Sequence, residues 1–87
     1  MRILQIIDEI KSMKHMPTHK STMDICRLLE NNKALFLDKI EEDNYNLSYS
    51  NFEKLSQLNS KEYNTTNYLR EYTQAHNMLS FYLNRII

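Results

Sequence analysis

Histidine, cysteine and clustered carboxylates are the side chains here that could bind a metal or move a proton, and their spacing decides whether they do. His15 and His19 are four residues apart, a spacing that places two imidazoles on one helical face for a metal. Pro17 lies between them and interrupts such a helix, and no second pair of ligands follows, so neither a metal nor a cofactor is expected. Cys26 and His76 could act as a nucleophile and its base. No third group is placed to orient them, and Cys26 lies in an apolar helical run, where a cysteine behaves as a small hydrophobe. Asp8-Glu9 and Glu41-Glu42-Asp43 are runs of adjacent acids. Neighbours along a helix do not face one another, so neither run offers the convergence that acid–base catalysis needs. These residues read as those of a non-enzymatic protein.

The chemistry that remains is that of a surface. Thr65, Tyr68, Tyr72, Ala75, Leu79, Tyr82 and Ile86 are spaced 3, 4, 3, 4, 3, 4, the heptad seam of a helix packed lengthwise on another. Leu69, Met78, Phe81 and Leu83 flank it. A tyrosine buries a large ring but keeps a hydroxyl that needs a partner, which favours it at half-wet interfaces. The seam either packs on the second helix, with its hydroxyls at the rim, or binds another chain. On the second reading, Tyr68, Tyr72, Ala75, Leu79, Tyr82 and Ile86 contact a protein partner or a second copy.

Eighty-seven residues make one domain, spanning 1–87. A chain of this size buries only about 60% of its unfolded surface, so stability is a concern. One cysteine excludes an internal disulfide and suits a reducing, cytoplasmic setting. Asp8, Glu9 and Lys11 interrupt the N-terminal apolar patch, so it does not read as a signal peptide, and no run is long enough to span a membrane. Eleven basic residues balance eleven acidic ones, where a nucleic-acid binder is usually basic. Glycine is absent, which argues against phosphate-cradling loops and hairpin-rich β folds.

The elements that must position the seam follow from helical periodicity. Ile3, Ile6, Ile7, Ile10 and Met13 share one face of a first helix over 2–14, which Pro17 stops. Ser21 or Thr22 caps a second helix running to about Asp43. Asn31-Asn32 either sits within it or splits it; weak propensities favour the continuous helix. Glu41, Glu42 and Asp43 end it, because the dipole disfavours acid there. Asn44 to Ser50 reads as a polar turn. Ser50 with Glu53 forms a capping box that starts a third helix, Asn51 to Leu58. Ser60 caps a fourth, Lys61 to Arg85, about 38 Å long at 1.5 Å per residue. A helix-turn-helix within 21–43 would put Asp38, Glu41, Glu42 and Asp43 against phosphate, so DNA binding is not expected.

The expected fold is all-α: a small bundle of three or four helices, with an antiparallel pair formed by the second and last. Tyr63, Leu69, Ala75, Leu79, Leu83 and Arg85 give the last helix an early aromatic, a mid-helix alanine and a closely packed apolar end finished by arginine. In this, residues 27–87 resemble the small helical-hairpin co-chaperones of type III secretion needle subunits, with Arg27 to Asp43 as the other arm. The resemblance implies a binding role without catalysis, in which an apolar helix of a client or partner is shielded. A small phage- or plasmid-type inhibitor, or a transcriptional regulator, is the rival expectation.

Overall fold

A computed structural model describes residues 2–58 and 66–86. Among them the chain is helical and has no strand: α1 (Arg2–Ser12), α2 (His19–Asn31), α3 (Lys33–Leu37), α4 (Glu42–Ser56) and α5 (Thr66–Asn84). Ser60 as a cap, and Tyr63 and Thr65 as seam or helix residues, lie outside the described residues. No described helix is long and apolar enough to cross a membrane.

The start of α1 and its buried face are as the periodicity predicts. Ile3, Ile6, Ile7, Ile10 and Met13 are all buried. The cap of α2 falls earlier than expected. Thr18, in extended geometry, accepts the Ser21 amide on its side-chain oxygen, so the helix begins at His19. Ser21 and Thr22 lie inside it and are buried.

Asn31-Asn32 does split the second helix. The Asn32 side chain donates to the Leu28 carbonyl at 2.9 Å and its amide caps the last turn, with φ near −120°. This local bond gives the backbone an alternative to continuing the helix. The five-residue α3 that follows buries Phe36.

The largest departure is α4. Residues 44–50, read as a turn, are helical, and Ser50 lies within the helix rather than capping it. Glu42 and Asp43 occupy its first turn. Acid does oppose a helix C-terminus, but the same charge favours the start of a new helix, and that is the role these residues take. Tyr45, Ser48, Phe52 and Leu55 form the buried line of α4, at spacing 3, 4, 3. Ser48 stands on that seam with its hydroxyl buried and unpartnered. Ser48→Ala removes a desolvated hydroxyl and improves helix propensity, so it should stabilise the fold by about 1 kcal/mol in urea denaturation.

Contacts fix the direction of each helix. His19 at the start of α2 lies 3.3 Å from the Ser56 carbonyl at the end of α4, while Tyr45 donates to the Leu29 carbonyl near the end of α2. The start of α4 faces the end of α5, with Glu41 and Asn44 beside Tyr82 and Arg85. Tyr72 and His76 of α5 reach Met13 and Ile10 at the end of α1. The four longer helices therefore run up, down, up, down. Their packing pairs are α2 with α4, α4 with α5, and α1 with both α2 and α5. The antiparallel pairing expected between the second and last helices falls on these neighbours instead. Direction alternates from each of these helices to the next, so α2 and α5 run the same way on a diagonal of the bundle. They touch across its middle, where Thr22 meets Tyr68.

Candidate functional site

The tyrosine seam of α5 is real, but it faces inward. Tyr72 is wholly buried, and Tyr68, Ala75 and Leu79 are buried beside it. Tyr82 and Ile86 are half-buried and pack against the same core. As a standing partner surface the six residues are thus corrected: four lie in the chain's own core and two at its edge. The ring of Phe52 meets Tyr72 edge to face at 5.9 Å, and the rings of Tyr68 and His76 stack on either side of it, at 6.4 and 6.1 Å.

The physical reason lies in the hydroxyls. A carbonyl has two lone pairs, so at a helix end one that already accepts a backbone amide, as those of Ile10, Met13 and Thr18 do, can accept an aromatic donor as well. Tyr72 donates to the Met13 carbonyl at 2.6 Å. Burial pushes its phenol up to about 12, against an opposing bond from Ser21, so it keeps the proton it donates. Tyr68 sits between Thr22 Oγ1 and the Thr18 carbonyl. His76 Nε2 lies 2.8 Å from the Ile10 carbonyl. On α4, Tyr45 does the same for Leu29 at 2.8 Å. Four aromatic side chains thus bond the backbone where α1 and α2 end or begin, which lets half-polar rings line a core.

The groups that might have carried catalysis are otherwise engaged. Both ring nitrogens of His76 have partners, Ile10 and Ser80, and neither is Cys26. Burial, with help from Glu53, pushes the Cys26 thiol up to about 11, so it remains protonated and a poor nucleophile. His15 is exposed in the turn after α1, and His19 is the first residue of α2. Among the described residues, no three of the His, Cys, Asp and Glu side chains converge where a metal would sit. The break that a helix-turn-helix requires is present, but α3 has only five residues to offer as a recognition helix.

Large apolar side chains are exposed at several places, Leu4, Met16, Met23, Leu35 and Leu69 among them, and Leu47 and Phe81 are exposed on the α4–α5 pair, which also carries a groove. A groove of about 400 Å³ runs between these helices, lined by Asn51, Lys54, Leu55 and Leu58 on one side and Glu71, Gln74, Ala75 and Met78 on the other. Leu47, Asn51, Lys54 and Leu58 follow one another at spacing 4, 3, 4, and so do Gln74, Met78, Phe81 and Arg85. Each set is one stripe of its helix, continued just past the helix end by Leu58 and by Arg85. Leu47 is 50% and Phe81 60% exposed, the latter under the Arg85 guanidinium at 5.5 Å. Sequence reasoning marked Phe81 and Met78 only as flanks of the seam. It placed Leu58 at the end of a third helix but missed Leu47 on the same stripe, because residues 44–50 were read as a turn. The 4, 3, 4 spacing was the available signal. Compared with known proteins, the chain matches no family model, no curated protein and no solved structure.

Proposed function

We propose that this chain is a non-enzymatic protein-interaction module whose outer α4–α5 face receives an amphipathic helix of a protein partner. One observation carries the reading: the groove between two antiparallel helices, with the half-exposed Leu47 four residues before its lining residue Asn51 and the more exposed Phe81 three after its lining residue Met78. Ridges of a third helix pack into such grooves, and an amphipathic helix laid in a groove is a recurring mode of recognition. Lys54 and Glu71 give the rim both signs of charge, which orients a partner without demanding one that is strongly charged. Burying Leu47, Met78 and Phe81 offers about 1.5–3 kcal/mol each before association costs. The most concrete form of the role is a cytoplasmic co-chaperone that shields a client's apolar helix. The secretion co-chaperone resemblance supports that form, through Ala75, Leu79 and Leu83 at the core and Arg85 at the end of α5.

The test is photo-crosslinking in the cells the protein comes from, with p-benzoylphenylalanine at position 81 or 47. One discrete protein adduct is expected at both positions. None should form from Asp8, which is exposed on α1. Met78→Glu should abolish the adduct while leaving the helical circular dichroism intact. Equal labelling from positions 81 and 8 would remove the reading.

A further inference from the structure

The end of α1 is held to α5 by two side chains. Tyr72 donates to Met13 at 2.6 Å, and His76 Nε2 reaches Ile10 at 2.8 Å. His76 is only 1% exposed. Ile10 offers a carbonyl, so Nε2 must be the donor. Nδ1, 3.2 Å from Ser80 Oγ, is then the acceptor. Both bonds are made by a neutral imidazole. The titratable and charged groups that bear on it are Lys14 and His15, both in the turn after α1. Tyr72, stacked on it within α5, is neutral. No carboxylate is among the charges that act on it. A proton added to this ring would create a buried cation with cationic neighbours and no counter-charge.

We propose that His76 is a proton-operated latch: neutral, it holds the last turn of α1 on α5, and protonated, it releases α1 and uncovers the isoleucine face beneath. The latch does not depend on the α4–α5 face and stands or falls without it. Its sign follows from linkage. With α1 released, His76 is solvated and titrates near its ordinary value of about 6.5. With α1 docked, burial first, then Lys14 and His15, hold it lower, although the Ile10 bond opposes them. Docking is thus fully favoured above about pH 6.5 and weakens as pH falls through that value. Each pH unit below it raises the released population up to about tenfold, until the docked form also titrates.

Hydrogen exchange of the intact chain at about pH 7.5 and about pH 5, corrected for intrinsic rates, tests this. Protection of the α1 amides should fall at the lower pH while that of α4 holds. His76→Gln keeps a neutral donor for Ile10 and an acceptor for Ser80 but cannot titrate, so its α1 protection should not respond to pH. A measurement on the unaltered protein stands beside it. In an NMR titration, α1 amide shifts should move with the His76 ring and not with His15 or His19. Flat α1 protection, equal loss in α1 and α4, a His76→Gln response like that of the parent, or α1 shifts that follow His15 would each overturn the latch.

Discussion

Tyr72→Glu is expected to unfold the protein. Tyr72 has no exposed surface, and its ring is in contact with Phe52, Tyr68 and His76. Truncating a buried aromatic costs about 3–5 kcal/mol. A carboxylate left in its place adds a desolvation penalty of several kcal/mol. Stability scales at about 0.05–0.15 kcal/mol per residue, or roughly 4–13 kcal/mol for this length, so the two losses together exhaust or nearly exhaust it. Helical circular dichroism should disappear at room temperature. Tyr72→Phe is the control. It keeps the ring and removes the hydroxyl with its bonds to Met13 and Ser21, costing about 1–2 kcal/mol and lowering Tm by several degrees. A cooperatively folded Tyr72→Glu with the parent's Tm would mean that this ring faces water.

Phe52→Ala should be the most damaging truncation on α4, at about 3–5 kcal/mol in urea or thermal denaturation. Phe52 is wholly buried and meets Tyr72 edge to face, so it stands where α4 and α5 lock together. Edge-to-face pairs add about 0.5–1.5 kcal/mol beyond burial alone. Phe81→Ala provides the internal comparison. With 60% of its surface in water, it should change stability by no more than about 0.5 kcal/mol. If the two substitutions cost the same, the assignment of one phenylalanine to the core and the other to an outer face fails.

The sequence shows a helix most plainly where apolar spacing is strict and its ends are marked. Ile3, Ile6, Ile7, Ile10 and Met13, ended by Pro17, made α1 legible, and the 3, 4 spacing from Tyr68 to Ile86 did the same for α5. In α4 the buried line contains Ser48, and Asn44, Asn46 and Asn51 surround it, so weak propensity concealed a helix that tertiary packing stabilises. Glu42 and Asp43 were visible as acids unsuited to a helix end. That they open the next helix depends on the turn over residues 38–41, which ends α3 and which no strong breaker marks in the sequence. A tyrosine's hydroxyl announces that it needs an acceptor but not which one. Spacing along α5 could not show that the carbonyls of Met13 and Thr18 would lie within reach. For the same reason the inward seam and the outward Leu47–Phe81 face could not be told apart before their neighbours were in place.

The bonds that bind α1 to α5 join residues 59 and 66 positions apart, whereas Tyr45 and Leu29, which tie α4 to α2, are 16 apart. During synthesis at about 5–20 residues per second, the isoleucine face of α1 leaves the ribosome roughly 3–13 seconds before the helix that covers it. The α2–α4 hairpin can close in that interval, since its loops are short and helix pairing is fast. For those seconds the nascent chain carries an uncovered greasy helix, and its safety from aggregation depends on how quickly the rest is made.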